Sequence, residues 1–495
     1  MTSSIPSLDL PTLRQHFPAI SSNPDYVFAE NAGGSQVLGS VASTISDYLL
    51  NTNVQMANYD LAFKAKHRVS NGTSAAAFLL GARHSDEVML GSSATQLVET
   101  LSRLIESTIH KQREGSYQGG EEVWREGDEI IVSQADHETN RGAWCRLAER
   151  AKLKVKVWPV TRVKGSEEGK KYNVTLDPAV LEDLVNDRTR LVAFTACSNL
   201  LGEFTDVKKI SEMVKSKSSK RAWVCVDCVA FSPHRRVVPR EWGVDFAFFS
   251  FYKLYGPHVG AIWLSPRAQR DLLGKLGHFF LNDLKEAGTY PYQPSSVQYE
   301  LNASCSAVAD YLVWLGQGCQ GGIVKRDWVA IMGSTASSGY VDGDQVGKSA
   351  QASLSSQNDT YETLSESLDL AFKAISKHEG SILETLMSYL LNSTNREKRG
   401  LEIVGLESAS SILRAPTVSF VVKGVKSREI HQRIVQGNKM GAQQGHMYAY
   451  RLIESLGLDL DDGVVRVSFV HYNTLDEVER FCQALEEALN QLCPA

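Results

Sequence analysis

No run of the chain approaches the ~18 uncharged apolar residues that a membrane span requires. Met1 to Leu13 carries no basic stretch leading into an apolar one, so no signal peptide is read there. Basic charge is not in excess either: 52 Lys and Arg stand against 57 Asp and Glu, a formal net charge of -5. A balance of that sign gives no positive field for nucleic acid or an anionic membrane. Cysteine is sparse, eight residues in 495, without framework spacing, as expected of reduced thiols in a reducing compartment. Cys225 and Cys228 form a C-x-x-C, but inside an apolar strand pattern with no second Cys or His pair nearby, which reads as core thiols rather than a metal site. No G-x-G-x-x-G follows a strand and there is no P-loop, so a nucleotide-binding reading has no support. Internal repeats are also missing. These absences leave a cytoplasmic protein with no nucleic-acid, membrane or metal partner as the expectation.

What is present is an ordinary globular composition, 43% apolar and 22% charged, in a chain too long for one hydrophobic core. Short apolar runs alternate with amphipathic stretches, the mark of β-α units around a mainly parallel sheet. The pattern predicts strands at Glu129–Ser133, Val155–Pro159, Arg190–Thr195, Trp223–Asp227, Phe246–Phe249 and Ala261–Leu264. Helices are predicted at Thr95–Ser107, Asn140–Ala151, Pro178–Asn186 and Val207–Lys217. Further on come two helical stretches, Glu362–Ser376 and Ser381–Leu391, then strands near Thr417–Val422 and Gly463–Val470. A last helix opens on a capping box, Thr474 with Glu477, and places Val478, Phe481, Cys482, Leu485, Leu489 and Leu492 on one face. Three segments, Lys111–Glu126, Arg162–Lys171 and Gly333–Thr360, are polar and read as surface excursions. The expected division is an N-terminal arm over 1–25, a large domain over 26–330, a flexible polar insertion over 331–360 and a smaller C-terminal α+β domain over 361–495.

Chemistry-bearing residues collect at strand ends. Asp227 closes one apolar strand, and Lys253 follows another that runs into a Gly/Pro turn. In open α/β sheets ligand groups gather at the carboxyl ends of strands. A lysine beside a cofactor aldehyde can form an imine, and a carboxylate can keep a pyridinium nitrogen protonated. Singly, each residue has a plainer reading: a strand-end Asp is more often a cap or turn former, and a loop Lys is usually solvated.

The surrounding motifs decide between these readings. Ser250–Pro257, S-F-Y-K-L-Y-G-P, resembles the S-x-H-K-x-x-G-P lysine motif of the cysteine desulfurase family within the class V aminotransferases. Asp136–Trp144, D-H-E-T-N-R-G-A-W, is similar to its E-H-H-x-N-x-x-P-W. Cys197–Gly202 is similar to its S-N-x-x-G segment, and Arg466–Thr474 to its R-x-S-x-x-x-Y-N-T. Asn31–Gly34, N-A-G-G, points to a desulfurase-like branch, and the resemblance spans most of the chain. It implies an α/β fold of PLP-dependent fold type I: a large domain with a mainly parallel, seven-stranded type of sheet plus the smaller C-terminal domain.

The resemblance also implies a cofactor, pyridoxal 5'-phosphate (PLP), and a role for each matching residue. Lys253 would hold it as a Schiff base and then shuttle protons. Asp227 would pair with the pyridine nitrogen, His137 would stack on the ring as a second catalytic residue, and Asn199 would hydrogen-bond the phenolic oxygen. Ala94 and Thr95, opening a helix after Gly91, would bind the phosphate with Ser250 and Tyr252. Ser296, in the pair Ser295 and Ser296, matches a family pair that reaches the phosphate of the partner subunit, implying a homodimer with shared active sites. Arg466 would clamp the α-carboxylate of an amino-acid substrate, with Ala32 and Gly33 also at the substrate.

Departures from the family narrow the reaction. Desulfurases take sulfur on a cysteine in a mobile loop, R-x-G-H-H-C; here the matching Gln443–Tyr448 reads Q-Q-G-H-M-Y. Tyr448 stands at the cysteine position and Gln443 at the arginine, and a phenol cannot carry a persulfide. Ala230 replaces a glutamine that supports the phenolic oxygen, a role His234 could take, and Tyr252 replaces a histidine. Some fungal members of the branch share the missing cysteine and are associated with amino-acid tailoring, including carbon–carbon bond formation; this chain resembles them in Val224–Arg235 and Val465–Thr474. The expectation is a PLP-dependent lyase or transferase acting at the α-carbon of an amino acid without a persulfide step. The alternatives are a desulfurase that uses another thiol, such as Cys197 or Cys228, and a non-catalytic scaffold.

Overall fold

The structure is a computed structural model that describes residues 5–54, 57–117, 123–167, 170–279, 288–333 and 359–494. The polar insertion expected at 331–360 lies, from 334 to 358, outside the described residues, as do parts of the other two excursions. The chain groups into two compact units, each discontinuous in sequence: residues 1–9, 37–126 and 236–372 in the first, 10–36, 127–235 and 373–495 in the second.

In the first unit three strands, Val88–Gly91, Gly260–Leu264 and Phe246–Ser250, pair in that order, with the middle one antiparallel to both neighbours. Gly260 lies opposite Gly91 on one side and Ser250 on the other, so these residues share one end of the set. Two long helices, Asp60–Leu79 and Tyr299–Gly316, cross closely because Gly72 has no side chain: a Cβ there would meet the Asn302 carbonyl oxygen at 1.7 Å.

The second unit holds four parallel strands in the order Trp223–Asp227, Thr189–Thr195, Glu129–Ser133 and Lys154–Trp158. Nearly every residue of the first three is buried, as continuous apolar runs covered on both faces should be. Four plus three strands make the seven expected, and the set is mixed because Gly260–Leu264 runs antiparallel. A separate antiparallel sheet follows the order Leu401–Val404, Thr417–Val422, Val464–Ser468 and Gln443–Gly445. Its core is built with Ile382, Leu386 and Leu390 of helix Tyr361–Leu390 and with Phe481, Leu485 and Leu489 of helix Leu475–Leu492. The capping box of that last helix is formed as predicted: Thr474 Oγ1 accepts from the Glu477 N–H, and the Glu477 carboxylate from that of Thr474.

Candidate active site

In the first unit the geometry grows from Gly260. A Cβ there would lie 2.5 Å from the Ser93 carbonyl carbon and 2.6 Å from the Ala94 nitrogen, so only glycine lets the start of helix Ala94–Arg113 rest against the strand. Ser93 caps that helix, its Oγ accepting from the Gln96 N–H at 3.1 Å. Ala94 is buried at the helix start and Thr95 exposed, where backbone N–H groups and the helix dipole favour an anion. Across from Gly260, Ser250 ends its strand and leads into a single 3-10 turn, Phe251–Lys253. The turn is closed by Phe251 N–H to the Val259 carbonyl at 2.8 Å and by Leu254 N–H to the Phe251 carbonyl at 2.9 Å. It fixes Lys253 as a buried side chain whose Nζ lies 5.7 Å from the centroid of the Tyr252 ring. Tyr252 in turn stacks on His258 at 5.5 Å. Ser296 stands exposed ahead of helix Tyr299–Gly316.

In the second unit the carboxyl ends of the parallel strands supply the other group. Asp227 is buried at a strand end, opposite Thr195, and its Oδ1 accepts from the Val229 N–H at 2.8 Å. Asp136 lies just past strand Glu129–Ser133, one strand further along, held by the Ser133 hydroxyl at 2.7 Å and the Asn140 amide at 3.3 Å. Burial first, and then the nearby Asp227 carboxylate, push the Asp136 carboxyl well above its ordinary range. The upward direction is the one expected of a buried carboxyl with a second carboxylate nearby.

His137 follows directly. Its Nδ1 accepts from the Thr139 N–H at 3.1 Å, which fixes the neutral ring as the Nε2–H tautomer. The Tyr448 ring lies 5.1 Å from it at 32°. Tyr448 is 67% exposed and sits with Met447 in left-handed backbone, φ 63° and 40°, a conformation bulky residues rarely adopt. That turn aims two carbonyls inward: Tyr448 O accepts from the Glu138 N–H, and Met447 O from the Asn199 side-chain amide, both at 2.9 Å. The loop that bears the sulfur acceptor in desulfurases is here tied to the residues around His137 and Asn199.

Arg466, 2% exposed, donates through Nη1 to the Asn199 carbonyl at 3.1 Å and through Nη2 to Glu30 Oε1 at 3.1 Å. Glu30 begins the N-A-G-G turn, closed by Gly33 N–H to Glu30 O and Gly34 N–H to Asn31 O, each 3.0 Å. Ala32 N–H reaches the Ser468 hydroxyl at 2.8 Å. Tyr472 hydrogen-bonds Asn31 and accepts from the Gln36 N–H, while Asn31 donates to Asn473 at 3.2 Å. The two family motifs therefore brace each other, and Ala32, Gly33, Asn199 and Arg466 are brought together. His234 is engaged elsewhere: its Nδ1 is 2.5 Å from Glu379 Oε1.

Burial pushes Cys197 up to about 12 and Cys228 well above its ordinary value. No group of His, Cys, Asp and Glu among the described residues could hold a metal ion, and none of the described helices is long and apolar enough to cross a membrane.

Asp136 and Met447 both stand inside motifs read from the sequence, but their partners do not show there; Glu30 lies just ahead of the N-A-G-G stretch and acts through Arg466, far along the chain.

The aminotransferase class V family model matches residues 27–300 and 361–481. The chain belongs to that family. The aminotransferase-like protein FGM3 of Gibberella zeae is 32% identical over 98% of this chain and 99% of that protein. The cysteine desulfurase-like protein ustD of Aspergillus flavus is 24% identical over 98% and 91%. Among solved structures, the cysteine desulfurase of Thermococcus onnurineus NA1 superposes with a TM-score of 0.70 at 17% identity, covering 99% of this chain and all of that one. The fold is thus PLP-dependent fold type I. Class V members are PLP-dependent enzymes, and this chain is one of the desulfurase-like kind, consistent with chemistry that bypasses a persulfide.

Proposed function

We propose that the chain holds PLP through Lys253 and acts at the α-carbon of an amino acid as a lyase or transferase without a persulfide step. The observation that carries this reading is the docked loop: Tyr448, at the sulfur-acceptor position, lies against His137 instead, while Lys253 and Asp227 stay buried at their strand ends.

The residues fit the cofactor. Gly260 keeps a cradle clear beside the N–H groups of Ala94 and Thr95, suited with the Ser250 and Tyr252 hydroxyls to a phosphate. Asn199 Oδ1 is buried with no hydrogen-bond partner among the described residues, and its amide keeps a second N–H beyond the one given to Met447. In this reading Asp227 faces the pyridine nitrogen, Asn199 the phenolic oxygen and His137 the ring, with Ser296 reaching the phosphate of a partner subunit. The bound cofactor supplies an electron sink for a carbanion at the α-carbon. Arg466 binds the α-carboxylate beside Ala32 and Gly33 and so orients the substrate. Lys253 would hold the cofactor, and its Nζ would take up or return the proton at the α-carbon. Tyr448 and His137 cover one side and limit water. The same reading makes the chain a cytoplasmic homodimer, with residues 26–330 forming the cofactor-binding domain, 331–360 an insertion and 361–495 the small domain.

The purified protein with PLP should be yellow, with a visible band that Lys253→Ala removes. A colourless protein indifferent to PLP would overturn the reading. Amino acids screened against the yellow protein should release keto acid, carbon dioxide or a cleaved side chain; sulfide from cysteine, lost on changing one Cys, would restore the desulfurase reading.

A further inference from the structure

We propose that Glu30 sets the affinity of the substrate site: its carboxylate occupies Arg466 in place of a substrate carboxylate and yields only to a ligand that brings one. The inference rests on reading Arg466 as the α-carboxylate clamp.

A buried guanidinium needs a counter-charge and filled acceptors around it. Arg466 finds a neutral acceptor in the Asn199 carbonyl and an anionic one in Glu30, both at 3.1 Å. The two partners differ in kind. The carbonyl is part of a buried segment, whereas Glu30 is a side chain 24% exposed. Its present place depends on a bare neighbour. A Cβ on Gly33 would lie 2.0 Å from Glu30 Oε1 and 2.5 Å from its Cδ. Gly33 does not have the left-handed backbone that would itself demand glycine, so what the missing methyl provides is room for the carboxylate.

A carboxylate on a guanidinium is what an amino acid would offer the same donor. Binding of the substrate carboxylate is then an exchange of one anion for another, and an amine without a carboxylate has nothing to exchange. Glu30 thereby lowers affinity for every amino acid and leaves affinity for simple amines as it is. A residue that only braced the N-A-G-G turn would behave oppositely, since its loss would loosen Arg466 and weaken binding.

The test titrates the PLP-loaded protein with L-alanine and with ethylamine, following heat of binding and the visible spectrum. In Glu30→Gln the L-alanine dissociation constant should fall by about fivefold to tenfold, with that for ethylamine unchanged. Gly33→Ala, which keeps the charge but evicts it, should shift L-alanine in the same direction and carries the test alone should Glu30→Gln not fold. L-alanine should also raise the unfolding temperature of Glu30→Gln more than that of the parent protein. Unchanged or weaker L-alanine binding in either folded variant overturns the proposal. Failure of the underlying reading looks different: the protein stays colourless with PLP, or Arg466→Ala binds L-alanine as well as the parent does.

Discussion

A thiol attacks or carries sulfur only as its thiolate, so burial that nearby cations do not outweigh silences it. Cys197 is such a case, its sulfur placed on the Ser198 and Gly202 carbonyls and its acidity suppressed to about 12 by burial, with Arg414 only partly offsetting this. Cys228 is shifted the same way, burial first and then the Asp227 charge. Brief alkylation of the native protein with iodoacetamide at pH 8 should leave both unmodified by mass spectrometry, while the denatured protein is labelled at all eight cysteines. Modification of either in the folded state would reopen the alternative of a second sulfur acceptor. Single residues were legible in the sequence where a motif carries them, as with Lys253, Asp227 and the Tyr448 substitution. Glu30 was not, since its partner Arg466 is 436 positions away and nothing local distinguishes it from a solvated acid.

Elements were legible where burial writes a pattern into the chain. Strands Glu129–Ser133, Trp223–Asp227 and Thr417–Val422 and helix Val207–Lys217 fall on the predicted boundaries. One expectation changed. The stretches 362–376 and 381–391 are one helix, Tyr361–Leu390, because Ile375, Ile382, Leu383 and Leu386 keep a buried face running past Gly380. The antiparallel direction of Gly260–Leu264 was not readable, since a fully buried strand looks alike in either direction. Its first residue yields the prediction at this scale. Gly260→Ala drives a methyl into the backbone of Ser93 and Ala94, and backbone at a capped helix start yields less than a side chain does. The change should lower stability by about 1–3 kcal/mol, read from urea unfolding, and weaken PLP binding beyond that of a comparable overpacking elsewhere. Intact PLP affinity in the folded variant would show that the helix start does not hold the phosphate.

At the scale of the whole chain, the early and late segments are built into one unit. Residues Val27 and Phe28 pair in parallel with Met440 and Gly441, and Arg14 donates to the Tyr472 carbonyl at 2.6 Å and to Glu477 at 2.8 Å. His471 is fully buried at this junction, its ring 5.9 Å from Phe17 and 5.6 Å from Tyr472. Burial first, and then His378 and His234, lower its pKa to about 3. The unfolded chain would bind a proton there near pH 6.5, the ordinary histidine value. Between about 3 and 6.5 the unfolded state therefore holds the extra proton, and stability must rise with pH across that window. The contribution is fully present above pH 6.5 and is lost progressively on acidification toward 3. The slope from this one group can reach about 1.4 kcal/mol per pH unit. Unfolding free energies of the parent and of His471→Gln, measured from pH 4 to 7, should converge as the pH falls, because the variant lacks the proton-linked loss. A constant offset between the two across that range would mean that His471 takes up its proton alike in the folded and unfolded chain, and that its burial at the joined ends does not set an acid sensitivity.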